Sequence, residues 1–293
     1  MNLFTPVTGV RLEAVEWLGE GRGMRNFRGA LGAAVATAVG ALAALAVLPP
    51  VVPAAWLSDT VASDGPLEVT LDVDFAPENL PRTERAPVAF AIAGTMDTTN
   101  GSYPSPLRQL VLEFDRDSAI DGTGLPRCEN GYRDVRRSLD EMKAACEDAI
   151  VGGGRVDVGV VFVEEAAFGA GELVVFNGRA KDRRTTLYAV AQITRPVPVT
   201  IVMPIEIKKR RQGRIGTEAI VSVPEFAHGA GFITDFRLRL DRRLGGRETT
   251  NGVISLQCPD GKFTVGVRAK FENESLIRDE LPQQCRAGAR LAK

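Results

Sequence analysis

The sequence has few of the residues on which most enzyme active sites depend. Its 293 residues include a single histidine, His228, and four cysteines. One histidine excludes metal sites built from several histidines and argues against a Ser-His-Asp triad. The sequence contains no Cys-x-x-Cys spacing, so the cysteines do not indicate a zinc site. The glycines at 152–154 are not followed by the Lys-Ser or Lys-Thr of a phosphate-binding loop. We therefore expect no metal and no cofactor.

Tryptophan and net charge are also scarce. Both tryptophans lie within the first 56 residues, and the three tyrosines are Tyr103, Tyr132 and Tyr188. Sugar-binding sites commonly use such rings as stacking platforms, so a lectin is not the favoured interpretation. The formal net charge is −1, which gives no overall field that would attract nucleic acid. We expect no nucleic-acid partner.

The N-terminal region resembles an export signal. Residues 29–48 form an uncharged run rich in Ala, Val and Leu, with Arg25 and Arg28 before it and prolines after it. A basic start, an apolar run and small residues at a cleavage site are typical of a secretory signal, and we place the cleavage after Ala54. A run of this length can also span a bilayer, so an uncleaved anchor is the alternative. Either interpretation predicts a secreted or extracytoplasmic domain.

The segment before Met24 does not fit an export signal. It carries three glutamates, whereas an n-region is normally basic. We expect that translation starts at Met24 and that residues 1–23 are not translated, with an unusually long n-region as the alternative. The predicted organisation is then a leader over 1–54, with 24–54 as signal peptide or anchor, a linker over 55–66 and one domain over 67–293.

The domain is predicted to be all-β. Apolar residues alternate in segments of about ten residues separated by turn residues, as in LEVTLDVDF at 67–75. Eleven such segments predict an antiparallel β-sandwich or a jelly-roll-like barrel. The predicted strands are 67–75, 86–94, 107–115, 154–163, 171–178, 185–194, 199–208, 214–223, 231–240, 251–258 and 262–271.

One helical insert interrupts the strands near 129–149. Ser138 and Glu141 have the spacing of a capping box, which predicts a short helix over about 139–148. A chain reversal before that helix brings Cys128 beside Cys146, and a second disulfide, Cys258–Cys285, ties the C-terminal tail to the sheet. Each loop closed in this way stabilises the fold by about 3 kcal/mol.

The segments GTGLPRC, AACEDAIVGGG, TRPVPV and CPDGKF lie in order between residues 105 and 286. Together they resemble a group of exported proteins of high-GC actinobacteria that have no established activity. The resemblance implies export and a single domain, and it implies no catalytic residues.

Carboxylates offer two weak candidate sites. Glu164 and Glu165 follow a strand, and a partner such as Asp115 or Glu172 would complete a glycosidase pair. The segment DRDSAIDG at 115–122 is an acidic turn that lacks the ligand spacing of an EF-hand. The lone histidine, His228, is expected on the surface.

Basic turns are the strongest binding signal. RAKDRR at 179–184, KKRRQGR at 208–214 and DRRLGGR at 241–247 each lie between strands. Strand parity puts the second and third at one end of the domain, and the first joins them if Pro196 and Pro198 form a turn. The expected anion-binding residues are Lys208, Lys209, Arg210, Arg211, Arg242, Arg243 and Arg247.

The sequence thus favours an exported, non-enzymatic envelope or surface-interaction protein. Its expected partners are anionic envelope polymers or lipid head groups. The alternative interpretation of the basic residues is that they are solvated hairpin tips that prevent edge aggregation. A secreted carbohydrate-active hydrolase and a membrane-anchored ectodomain are the alternative functions.

Overall fold

A computed structural model describes residues 60–129, 137–163, 165–178, 186–241 and 252–288. The described part of the chain is almost entirely β-structure, which confirms the predicted fold class. The strands are β1 Thr60–Asp64, β2 Leu67–Ala76, β3 Asn79–Pro81, β4 Ala86–Thr98, β5 Leu107–Asp115, β6 Ser118–Ile120, β7 Ile150–Phe162, β8 Glu165–Asn177, β9 Thr186–Ile193, β10 Val199–Lys209, β11 Ile215–Ser222, β12 Gly231–Leu240, β13 Ile254–Leu256, β14 Lys262–Phe271, β15 Leu276–Gln284 and β16 Arg286–Gly288. The helix α1 spans Leu139–Ala145.

Twelve of these strands form one antiparallel sheet that is nearly closed. Its order is β1-β2-β4-β12-β7-β8-β9-β10-β11-β5-β14-β15. The first and last strands of this path meet at a seam, where the Leu276 amide donates to Asp64 Oδ2 at 2.9 Å. The short strands β13 and β6 extend the sheet beside β4, and β16 pairs with β3 in parallel.

The antiparallel order gives the sheet two ends. We call the upper end the one at which β5, β10 and β12 finish, at Asp115, Lys209 and Leu240, and the lower end the opposite one. The segment TRPVP connects β9 to β10 as a hairpin turn, because Ile193 pairs with Val199. The two prolines therefore form a turn at the lower end and do not kink one long strand.

The inside of the sheet holds the main core. Strand β2 alternates as the sequence predicts, with Leu67, Val69, Leu71, Val73 and Phe75 buried. Alternation buries one side of each strand because successive side chains point to opposite faces. The rings of Phe90 and Phe114 meet edge to face at 5.3 Å and are almost fully buried.

The helical insert packs on the outside of the sheet. The capping box is present, with Glu141 N donating to Ser138 Oγ and Ser138 N donating to Glu141 Oε2. Helix α1 ends at Ala145, and a 3₁₀ turn follows over Glu147–Ala149. A second, smaller core lies beneath the insert and consists of Cys128, Leu139, Met142, Ala149, Val174, Phe176 and Val190.

Asn177 fixes the segment that leads to the insert. Its side chain is buried, and its Nδ2 donates to the carbonyls of Gly122 at 3.1 Å, Leu125 at 3.3 Å and Pro126 at 2.9 Å. The backbone of this segment is irregular and cannot form the regular hydrogen bonds between strands. The side-chain amide of Asn177 supplies the missing donors.

The four cysteines form two disulfides. Cys128 joins Cys146 and Cys258 joins Cys285, which is the pairing that the sequence predicts. The first bond holds the insert against the second core. The second bond holds the C-terminal segment close to β3, with which β16 pairs. Disulfides persist in oxidising compartments, so both are consistent with a location outside the cytoplasm.

The structure differs from the predicted organisation at the edges. Thr60–Asp64 was expected in a linker and instead forms β1, paired with β2 from Leu71 to Leu67. Leu276–Gln284 forms β15, and the sequence gives no alternation that marks it as a strand. Both strands are at the seam, where only one neighbour supplies ladder bonds.

The expected leader lies outside the described residues, and so does the apolar run at 29–48. Within the described ranges, no helix is long and apolar enough to cross a membrane.

Candidate functional site

The turn between β10 and β11 carries the basic segment that the sequence singled out. Three of its cations pair with carboxylates, and one of these is Arg214, which pairs with Glu280. Lys209 Nζ lies 3.3 Å from Asp121 Oδ2, and Arg210 Nη2 lies 2.8 Å from Glu218 Oε2. Lys208 is half-buried beside this network, with Glu218 directly opposite it in the ladder. Much of the turn's charge is therefore neutralised within the fold.

Three other arginines form a positive group at the upper end, which we call the turn cluster: Arg85, Arg116 and Arg211. Arg116 donates from Nε to Gly213 O and from Nη2 to Arg211 O, the latter at 2.7 Å. Arg85 Nη2 donates to Arg116 O at 2.6 Å. Main-chain carbonyls hold the guanidinium groups of Arg85 and Arg116 in place, and Arg211 supplies one of these carbonyls. Within the described ranges, no carboxylate lies within salt-bridge distance of the three side chains. All three side chains are exposed.

The acidic turn after β5 turns its carboxylates inward, away from the turn cluster. Asp115 accepts from Thr264 N at 3.2 Å and from Asp117 N at 3.1 Å, and Asp117 accepts from Gln257 Nε2 at 2.7 Å. Burial raises the pKa of Asp115, and the neighbouring charge of Asp117 adds to the rise. Arg116 lies between these two aspartates in sequence. Because both aspartates bond inward, the side chain of Arg116 faces solvent.

Asp121, at the end of the same acidic segment, pairs with Lys209. Its burial acts to raise the pKa, but hydrogen bonds from Thr123 and the interaction with Lys209 outweigh burial and lower the pKa. No group of three or more metal-ligating side chains with the geometry of a metal site occurs among the described residues. The acidic turn is thus a structural element of the upper end.

The other two basic segments lie outside the described residues, and with them Arg242, Arg243 and Arg247. The strands that flank these segments can be followed. Strands β8 and β12 run toward the upper end and finish at Asn177 and Leu240, and β9 starts from that end at Thr186. Their shared end with Lys208–Arg211 stays a prediction.

The structure does not assemble the suggested glycosidase pair. Glu165 begins β8 at the lower end, whereas Asp115 ends β5 at the upper end. Glu172 is bound by Lys143, with Nζ 3.0 Å from both carboxylate oxygens. His228 is exposed in the lower-end loop between β11 and β12. Glu164 lies outside the described residues.

A different pair of carboxylates lies together on the outside of the sheet. Glu218 on β11 is directly opposite Glu113 on β5, and Arg268 Nη2 lies 2.7 Å from Glu113 and 3.6 Å from Glu218. The two acids line a shallow groove with Arg210, Arg268 and Glu280, which we call the carboxylate groove. Glu218 is almost fully buried and paired on both sides, as a buried charge must be.

Sequence reasoning missed the turn cluster and the carboxylate groove for the same reason. Arg85, Arg116 and Arg211 come from three separate segments, and Glu113 and Glu218 from two distant strands. The only signal in the sequence was the number of strands between two turns. In an antiparallel sheet this number fixes the end at which each turn lies, but not which residues of neighbouring strands are paired. No family model, no curated protein and no solved structure matches the chain.

Proposed function

We propose that the chain is an exported, non-enzymatic protein whose upper end contacts anionic components of the cell envelope. The observation that carries the proposal is the turn cluster, in which main-chain carbonyls hold the guanidinium groups of Arg85 and Arg116 beside the exposed Arg211. A guanidinium group presents several donors in a plane and suits phosphate or carboxylate oxygens. Anionic polymers and lipid head groups both offer such oxygens.

Export is supported by two independent features. The sequence before the domain has the basic start, the apolar run and the small residues that are typical of a secretory signal. The domain itself contains two disulfides. N-terminal sequencing of the exported protein tests this part, because a signal peptide leaves a new N-terminus at residue 55. A membrane fraction that retains residues 29–48 would instead favour the anchored ectodomain.

Contact with anions should depend on ionic strength. Exposed charges are screened within a Debye length of about 8–10 Å near physiological salt, so retention on purified envelope should weaken as salt rises. The Arg85→Gln, Arg211→Gln double variant should lose retention on envelope and on vesicles of anionic phospholipid. Vesicles and a phosphate-bearing polymer, tested separately, distinguish the two sources of the anion.

The matched control removes the same charge elsewhere. Arg195 lies at the lower end and Arg278 on β15, and both are exposed. The Arg195→Gln, Arg278→Gln variant should retain envelope binding. Equal losses in the two double variants would mean that only net charge matters, which contradicts a site at the turn cluster.

Arg210 is a poor choice for this test, although the sequence places it in the expected site. Its removal leaves the buried carboxylate of Glu218 with a single cation at 3.6 Å. An uncompensated buried charge destabilises the fold, so loss of binding in Arg210→Gln would not separate contact from stability.

A hydrolase is the second candidate, and the carboxylate groove is the observation that favours it. Glycosidases use two neighbouring carboxylates, but their general acid must carry a proton, whereas Glu113 and Glu218 are both ion-paired with arginines. Release of reducing sugar by the exported protein, abolished in Glu113→Gln, would establish this function. Release that persists unchanged in Glu113→Gln would reject the groove as its site.

A further inference from the structure

Three aromatic rings form a group on the outer face of β12, β7 and β8, near the lower end. Phe232 and Phe168 are both level with Gly159, which lies between them in the ladder. Tyr103, from the loop before β5, stacks on Phe232 with ring centroids 5.5 Å apart, and Phe168 meets Phe232 edge to face at 6.2 Å. Phe168 is 60% exposed and Tyr103 is 42% exposed.

Gly159 creates the space for this group. The ring of Phe232 lies over it, and a Cβ atom at this position would be 2.2 Å from Phe232 Cζ. Phe232 is nearly buried and acts as the base on which Tyr103 rests. The hydroxyl of Tyr103 accepts a hydrogen bond from Ala166 N at 2.9 Å, which fixes the ring in place. The two exposed rings are thus held rigidly by the fold.

Charged side chains follow the rings along the same outer face. Asp235 and Asp157 are paired in the next row, and Arg237 and Arg155 in the row after it. Successive rows on one face are about 6–7 Å apart, which is twice the rise per strand residue. Arg155 Nε binds Asp157 Oδ1 at 2.9 Å, whereas Arg237 Nε lies 3.7 Å from Asp235 Oδ1, too long for a hydrogen bond.

The face continues as a shallow groove lined by small residues. Ala91 and Ala93 of β4 and Gly153 of β7 leave space between Arg237 and Arg239. The outer face therefore presents three features side by side across neighbouring strands: the exposed rings, the planar charged groups and the groove lined by small residues. Exposed rings that are contiguous with polar groups on one face are a feature that interaction sites share.

We propose that this outer face binds a glycan, which stacks on the rings of Phe168 and Tyr103. A pyranose ring presents C–H groups on its flat side, and these meet the negative face of an aromatic ring favourably. Its hydroxyl groups both donate and accept, so they match the carboxylates and guanidinium groups of the next two rows. The site combines one of the three tyrosines with an exposed phenylalanine, and the fold brings the two rings within 6.4 Å of each other.

The arrangement favours a glycan over a lipid surface or a protein. Insertion into lipid would bring Asp157, Asp235 and their arginine neighbours toward hydrocarbon, and the desolvation of such ion pairs is costly. A stable protein interface needs about 800 Å² on each partner with an apolar centre, whereas here only two exposed rings border the charges. The pKa of Asp235 is raised by burial and by Asp157, so a hydroxyl donor beside it would stabilise its charge.

Affinity electrophoresis of the exported protein tests the proposal. The gels contain soluble β-glucan, α-glucan, mannan, arabinan or galactan as probes. We expect at least one polysaccharide to retard the protein, and Phe168→Ala to raise the dissociation constant about tenfold, which corresponds to ~1.4 kcal/mol. Phe168→Trp should retain binding and Phe168→Leu should lose it, because leucine keeps the apolar contact but has no ring.

Phe162 supplies the matched control. It is also an exposed phenylalanine, but it lies at the tip of the β7–β8 hairpin and outside the rows described. Phe162→Ala should bind polysaccharide as the unchanged protein does. The proposal is overturned if no polysaccharide retards the protein or if Phe168→Leu binds as well as Phe168→Trp. Binding to lipid vesicles that depends on both Phe162 and Phe168 would assign the face to membrane instead.

The test is independent of the turn cluster. Glycan binding at this face should survive Arg85→Gln with Arg211→Gln, and envelope retention by charge should survive Phe168→Ala. Failure of one proposal therefore leaves the other measurable.

Discussion

Replacement of Asn177 by alanine should destabilise the domain through three carbonyl groups. The amide contacts the carbonyls of Gly122, Leu125 and Pro126, and the Leu125 amide also donates to Gly122 O at 3.2 Å. Alanine therefore leaves two carbonyls without their donor. Both of these carbonyls are part-buried and water can reach them, so each lost hydrogen bond costs about 0.5–1.5 kcal/mol and we expect a loss of about 1–3 kcal/mol in the free energy of unfolding.

Urea unfolding of the oxidised, exported protein measures this loss. Far-UV circular dichroism is the suitable signal, because both tryptophans lie before the domain. For a domain of this size the loss corresponds to a decrease of roughly 2–12 °C in the melting temperature. Asn100→Ala is the control, since Asn100 bonds only within an exposed turn.

Asn177→Asp separates shape from hydrogen bonding. Aspartate has the same shape, but its carboxylate would face carbonyl oxygens and could not donate when ionised. We expect it to be at least as destabilising as alanine. If the aspartate variant unfolds within about 0.5 kcal/mol of the unchanged protein, the reasoning from donors is refuted.

Three further predictions concern cross-links, capping and pH. Cys258→Ser with Cys285→Ser should cost about 3–4 kcal/mol because it opens a long loop, and a loss below ~1 kcal/mol in urea unfolding would contradict this. Ser138→Ala should cost about 1 kcal/mol through loss of the helix cap, whereas Asp140→Ala on the same helix should cost less; equal losses would argue against the cap. Asp235 has a folded pKa above its ordinary value of 3.8, so the folded state binds its proton more tightly. Unfolding free energy should therefore fall as pH rises through the interval between these two pKa values. Asp235→Asn should show a smaller fall, of which the contribution of Asp115 remains, and identical pH profiles for the two proteins would contradict the assignment.

The sequence predicts the strands that are buried on one face. Their alternation is a direct consequence of the two sides of a pleated strand, and β2, β5, β12 and β14 begin and end within a residue of the prediction. The capping box at Ser138 also locates the chain reversal that pairs Cys128 with Cys146. These features depend on residues that are close together in the sequence. Periodicity and spacing are therefore enough to predict them.

The edge strands and the sites could not be predicted in the same way. Strand β15 reads LIRDELPQQ, with a proline and three charges, because an edge strand needs fewer ladder donors and is exposed. The turn cluster depends on main-chain carbonyls that hold Arg85 and Arg116, and any sequence offers those carbonyls. The aromatic group depends on the register that places Gly159 between Phe168 and Phe232.

The seam between β1 and β15 has a consequence for the order of folding. The contact from Leu276 to Asp64 joins residues 212 positions apart, so the sheet can close only after nearly the whole domain has been delivered. Contacts of such large sequence separation slow folding, and until β15 arrives the β14 edge stays open to pairing with other chains. A chain truncated before Leu276 would keep both edges open. We expect the final residues to convert a pairing-prone sheet into one that is nearly self-contained.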